Sequence, residues 1–107
     1  MEKLTAESFR EKVYSDDQRA ALLFTAPWCG FCKSMKLMCE KAENDFSDTR
    51  FYTVDIDSEP SLKNAFNIAS VPTLILFEDG RALSRATGLM KKSQLYELLG
   101  IESRLAQ

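Results

Sequence analysis

Cys29 and Cys32 stand three positions apart in the stretch WCGFCK, which runs from Trp28 to Lys33. Two thiols at that spacing can hold half of a metal site, close a structural crosslink, or pass electrons as a dithiol. A structural zinc site takes four ligands. This chain offers Cys29, Cys32 and Cys39 and contains no histidine, so a metal site within one chain is short of ligands. A cluster bridging two subunits stays open. A persistent crosslink needs an oxidising compartment, and three cysteines are too few for a disulfide scaffold. The lack of histidine also excludes Ser-His and Cys-His catalysis. Redox exchange asks only for one stabilised thiolate with a second thiol in reach.

The flanking elements favour that third chemistry. Ala20 to Ala26, AALLFTA, is an apolar run of strand length without alternation, the pattern of a strand buried on both faces, and Pro27 stops it. From Cys32 onward the period changes. Cys32, Met35, Cys39, Ala42 and Phe46 form a helical stripe, with Lys33, Lys36, Glu40 and Glu43 on the other side. Cys29 therefore falls at the N-terminus of a helix, where unpaired N–H groups and the helix dipole favour an anion and lower a thiol's pKa. Cys32 follows one turn later on the same side, and Gly30 lets the backbone turn tightly between them. Cys39 lies on the core stripe and reads as a small buried hydrophobe, with a third redox thiol as the competing role.

The remaining chain supplies a frame. Thr5 caps a short helix over AESFREKV, in which Phe9 and Val13 share a face. Asp16 to Arg19 is a polar connection. Phe51 to Asp57 reads as a second central strand. Asp55 and Asp57 at its end cap the next turn, and Pro60 opens a short helix reaching Phe66 or Asn67. Val71 to Phe77 is a third strand. Asp79-Gly80 is a hairpin signal, so Arg81 to Thr87 should return antiparallel and end at Gly88. Leu95, Leu98, Leu99 and Leu105 give a last helix one apolar side. Alternating elements predict an α/β fold: a mainly parallel sheet with helices on both faces and an antiparallel closing hairpin.

Composition narrows the function. A chain of 107 residues, 45% apolar and 28% charged, suits one soluble globular domain spanning 1–107. With 14 basic against 16 acidic residues the net charge is −2, which disfavours a nucleic-acid partner. No apolar run approaches the roughly 20 residues of a membrane span. The charged start MEKLTAESFREK does not look like a signal peptide, so the expected location is cytoplasmic.

WCGFCK, the later VPT, and the DG hairpin followed by ATG resemble the thioredoxin family over essentially the whole chain. The resemblance implies a thioredoxin fold and a monomeric thiol-disulfide oxidoreductase that reduces protein disulfides through Cys29 and Cys32. It implies a flavin-containing reductase as electron donor, with glutathione or another dithiol as the alternative; no bound cofactor and no metal are expected. It also implies a cis bond at Val71-Pro72 facing the cysteines. The expected substrate surface is one exposed apolar patch made by Trp28, Gly30, Phe31, Val71, Pro72, Gly88 and Leu89, with Ser70 and Val71 offering backbone groups to an extended segment.

Four positions depart from the family pattern. Phe31 replaces the usual proline between the cysteines, and Leu37 replaces the proline that kinks the family's second helix. Leu23 stands where the family buries an aspartate that helps move the proton of the second thiol, and Thr53 stands where its lysine companion lies. Losing both together is coherent, since a lone buried charge costs several kcal/mol. Their loss supports a rival reading, a thioredoxin fold kept as a protein-interaction module with slow redox turnover. The presence together of Trp28, both thiols and Val71-Pro72 opposes it.

Overall fold

The computed structural model describes residues 1–14 and 19–100. Positions 16–18 of the expected polar connection and the final Leu105 lie outside them, and Arg19, expected in that connection, instead opens a strand. The elements follow as β1 (Glu2–Lys3), α1 (Ala6–Val13), β2 (Arg19–Thr25), α2 (Gly30–Ala42), β3 (Thr49–Asp55), α3 (Pro60–Ala65), β4 (Thr73–Glu78), β5 (Arg81–Thr87) and α4 (Lys92–Leu99). The five strands form one sheet in the order β1-β3-β2-β4-β5. β1 and β2 both run parallel to β3, whereas β4 is antiparallel to β2 and β5 antiparallel to β4.

Side-chain alternation along the strands divides the core in two. On one face Leu22, Phe24, Tyr52, Val54, Ile75 and Phe77 pack with Phe9 and Val13 of α1 and Leu62 of α3. On the other, Ala21, Leu23, Phe51, Leu74 and Leu76 pack with Met35, Cys39 and Ala42 of α2 and with Leu95, Leu98 and Leu99 of α4. A strand covered on both faces has no use for polar alternation. β2 is accordingly buried from Ala20 to Phe24, and β3 from Phe51 to Val54.

Local signals close the elements. The Thr5 hydroxyl accepts from the Ser8 amide at 3.1 Å, and Ser8 Oγ accepts from the Thr5 amide at 3.1 Å, a reciprocal cap. Pro60 occupies the first turn of α3. β1 escaped the sequence pattern because two charged residues on an edge carry no strand signal. Its pairing of Glu2 with Tyr52 and Lys3 with Thr53 shows only in three dimensions.

The β4–β5 turn sets Asp79 at φ 52° and Gly80 at φ 79°, both left-handed, as a tight hairpin requires. A Cβ added at Gly80 would also run into the Tyr14 ring. Gly80→Ala should therefore cost about 1–3 kcal/mol in urea unfolding. An unchanged midpoint would show that the turn relaxes freely.

Candidate active site

The site lies where the strand ends converge. β2 ends at Thr25, and Cys29 forms the N-cap of α2. Because β2 and β4 are antiparallel with Phe24 opposite Thr73, the outgoing end of β2 meets the incoming head of β4. Val71-Pro72, with a cis peptide bond as the resemblance implied, is thereby brought to the same end. Thr73 pairs in turn with Thr87, and the Gly88 amide extends that ladder by donating to the Pro72 carbonyl at 2.7 Å. Gly88 has φ 94°, a backbone conformation that glycine adopts freely.

Cys29 and Cys32 are joined as a disulfide, with 5.4 Å between their Cα atoms. Their environments differ. Cys29 is half-buried at the helix start, and Cys32 is only 5% exposed. A small open cavity of about 150 Å³ borders both, lined by Thr25, Ala26, Pro27, Cys29, Cys32, Lys33 and Lys36.

The rim is apolar and solvent-facing. Trp28 is 68% exposed, Phe31 64% and Leu89 49%, and Gly30 is exposed beside them. The indole of Trp28 is not loose, since its Nε1 donates to Asp57 Oδ2 at 3.1 Å. Asp55 Oδ1 accepts from the amides of Asp57 and Ser58 at 2.8 and 3.3 Å, the turn-capping role expected of it. The tie from Asp57 to Trp28 goes beyond the cap that the sequence suggests for Asp57. Its only trace in the sequence is a second aspartate at the end of a strand adjoining the one that precedes the motif.

Two expected members of the patch sit differently. Pro72 is buried, because it heads an interior strand that stays covered from residue 72 to residue 77. It is therefore not part of the exposed surface. Ser70 is exposed, but its carbonyl already accepts from Thr73 Oγ1 at 2.7 Å. Half-buried Val71 makes no main-chain hydrogen bond among the described residues, which leaves its backbone groups as the ones open to an extended segment.

Two interior positions complete the picture. Leu23 is fully buried, lies opposite Thr53 in the β2–β3 ladder, and packs in the same cluster as Met35 and Cys39. Apolar packing thus fills the place where the family carries a charged pair. Cys39 is fully buried on the same stripe, and its thiol is pushed up to about 12, first by burial and then by the carboxylates of Glu43 and Glu40. Among the described residues no three His, Cys, Asp or Glu side chains gather to hold a metal ion, and no helix is long and apolar enough to cross a membrane.

A mixed five-stranded sheet with a dithiol at a helix N-terminus, beside a cis proline, defines a thioredoxin-fold thiol-disulfide oxidoreductase. Comparison with known proteins makes this specific. The family model Thioredoxin matches residues 1–100. A thioredoxin of Mycoplasma genitalium is 36% identical over 88 residues, covering 82% of this chain and 86% of the relative. One of Chlamydia trachomatis is 38% identical over 76 residues, covering 71% and 74%. The solved structure of a mutant thioredoxin from Halobacterium salinarum superposes with a TM-score of 0.83 at 28% identity, covering 92% of this chain and 86% of that one. The chain belongs to the thioredoxin family, and its activity is that of a protein-disulfide reductase.

Cys39 gives a pH test. Its folded pKa lies above the ordinary value of 9.0, so the folded state holds its proton while the unfolded state loses it. That contribution to stability is complete below pH 9 and is lost as pH rises from 9 towards 12, with a slope approaching about 1.4 kcal/mol per pH unit. Subtracting the unfolding curve of Cys39→Ala from that of the parent should isolate this slope. Parallel curves above pH 9 would place Cys39 in water.

Proposed function

We propose that this chain acts as one domain over 1–107, a cytoplasmic and monomeric reductase of protein disulfides, with Cys29 as nucleophile and Cys32 as resolving thiol. The observation that carries the assignment is the unequal burial of the bonded pair. Cys29 is half-buried at the N-terminus of α2, beside an exposed aromatic rim, and Cys32 is nearly enclosed one turn in.

In the reduced protein the Cys29 thiolate, favoured by the helix N-terminus, attacks one sulfur of a substrate disulfide. A mixed disulfide forms, and the substrate's other sulfur leaves as a thiolate that takes a proton from water. Cys32 loses its proton and attacks the Cys29 sulfur. The Cys29–Cys32 bond closes, the bond from Cys29 to the substrate breaks, and the substrate departs with both sulfurs reduced. Two electrons have passed to the substrate, and an external dithiol of the thioredoxin-reductase type returns them. The chemistry needs no bound cofactor or metal.

Docking falls to Trp28, Gly30, Phe31, Val71, Gly88 and Leu89, with buried Pro72 and exposed Ser70 flanking Val71 in the chain. An apolar rim with few charged groups, combined with backbone pairing at Val71, suits substrates defined by an exposed disulfide more than by sequence. Phe31 in place of proline gives the rim a further ring.

With dithiothreitol as electron source, Cys29→Ser should reduce an insulin-type protein disulfide no faster than dithiothreitol alone. Cys32→Ser should accumulate covalent adducts on Cys29, visible by non-reducing electrophoresis. Turnover in Cys29→Ser would overturn the assignment. A parent protein that docks substrates but turns over no faster than dithiothreitol would favour the interaction-module reading.

The rim is tested separately. Phe31→Ala removes a ring that docking would cover, worth about 1 kcal/mol or more, or roughly fivefold in kcat/KM. The loss should be greater on a protein disulfide than on a small aliphatic one. Equal losses on both would place Phe31 in the chemistry and not in docking.

A further inference from the structure

The cavity beside the disulfide is lined by two lysines and no carboxylate. The lysines are placed with regularity: Lys33 follows Cys29 by four residues, and Lys36 follows Cys32 by four. Cys29 is the extended N-cap and precedes the first turn, but within α2 Lys36 stands one turn beyond Cys32, at the border of the buried stripe. The shared cavity is a second, independent sign of the same arrangement, since Lys33 and Lys36 line it together with both cysteines.

This arrangement meets a need created elsewhere. Cys32 must become a thiolate to resolve the mixed disulfide, yet it is only 5% exposed, and burial disfavours the charged form. Beneath it the β2–β3 ladder offers Leu23 and Thr53, neither of which carries charge or takes a proton near neutral pH. The other neighbouring elements are equally bare of charge. β2 and its loop contribute Thr25, Ala26 and Pro27 to the cavity. The segment entering β4, Val71-Pro72, carries no charge either. The carboxylates at the end of β3 are already engaged: Asp55, opposite Thr25, accepts from two amides of its own turn, and Asp57 accepts from the Trp28 indole.

We propose that Lys36 is the positioning residue of the resolving step. Its ammonium stabilises the Cys32 thiolate across the cavity, and the cavity lets water accept the proton directly. Stabilisation of the thiolate by an exposed cation, with water as the base, thus stands in place of proton transfer to a buried carboxylate. The balance of the step is unchanged: Cys32 gives its proton to water, its sulfur bonds to Cys29, and the substrate sulfur leaves with the electron pair of the broken bond. The inference rests on the assignment of Cys32 as resolving thiol, but its primary test does not depend on turnover.

The test is the ultraviolet titration of the Cys32 thiolate in a Cys29→Ser background. Cys39 stays protonated far above neutrality, so the titration below pH 9 belongs to Cys32. Lys36 is exposed, so its replacement leaves the core intact. Lys36→Gln should lower the thiolate fraction at pH 7 by about threefold, the effect of one charge roughly 6 Å away in a water-like medium. Lys36→Arg should restore it, and 1 M salt should shrink the difference between parent and Lys36→Gln. In the chain with all its thiols, stopped-flow should show the resolving rate at pH 7 falling in Lys36→Gln by about twofold, less than the thiolate fraction because a thiolate of higher pKa is the better nucleophile, with the attack of Cys29 much less affected. Superimposable titrations of parent and Lys36→Gln would overturn the proposal even if the protein is a competent reductase. A shifted titration in a protein that reduces no disulfide would uphold the electrostatic role and overturn the assignment of function.

Discussion

The antiparallel register of β2 with β4 is the constraint on which the site depends. With Phe24 opposite Thr73, the chain leaving β2 and the chain entering β4 meet at one end of the sheet. That register places the Cys29–Cys32 turn beside Val71-Pro72. β5, paired to β4, then delivers Gly88 to the same end, and β3, paired to β2 with Thr25 opposite Asp55, delivers the aspartates. A slip of one residue in the β2–β4 pairing would turn Leu22 and Phe24 away from their own core and would separate the disulfide from Val71-Pro72 at the same time. Stability and site geometry are therefore held by the same ladder.

The helix that carries the dithiol does two jobs with opposite faces. Its inner face, Cys32, Met35, Cys39 and Ala42, is buried against the sheet and α4, which fixes the N-terminus of α2 at the strand ends. Its outer face keeps Lys33 and Leu37 in water, and Lys36 stands exposed at the border, where it lines the cavity with Cys32. Cys29 stands where the two meet. Leu23 and Cys39 show how far the inner face has been given over to packing: a fully buried leucine fills the family's carboxylate position, and a third thiol lies where ionisation is strongly suppressed. A buried ion pair there would contribute little net stability, because desolvation offsets its attraction. The electrostatics of the site are consequently moved to the surface, to the helix N-terminus and to lysines on the rim of the cavity.

The surface proposed for recognition combines exposure with fixed anchorage. Trp28 and Phe31 expose large rings, yet the Trp28 indole is held by Asp57, whose own backbone is held by Asp55. An aromatic side chain ordered before binding loses less conformational freedom on docking. With Pro72 buried and the Ser70 carbonyl engaged, the backbone groups of Val71 are those the segment leaves unbonded among the described residues.

The sequence by itself determined the elements and the chemistry. An apolar run without alternation announced a doubly covered strand, the change of period after Cys32 announced α2, and Asp79-Gly80 announced the hairpin. The spacing of Cys29 and Cys32 at a helix start announced a dithiol. All of these are local, because propensity, periodicity and turn geometry act over a few neighbours. Strand direction and neighbours were only partly legible: alternation announced a parallel sheet, but the reversed entry of β4 beside β2 and the addition of β1 to the edge depend on pairings distant in sequence. Exposure at the site was decided there too. Pro72 looked like a surface residue and is buried because the strand it heads is interior, while Asp57 looked like a turn cap and holds Trp28 because β3 ends beside β2. A residue's type states what it can do, but only the packing of the sheet decides which partner it meets and whether water reaches it.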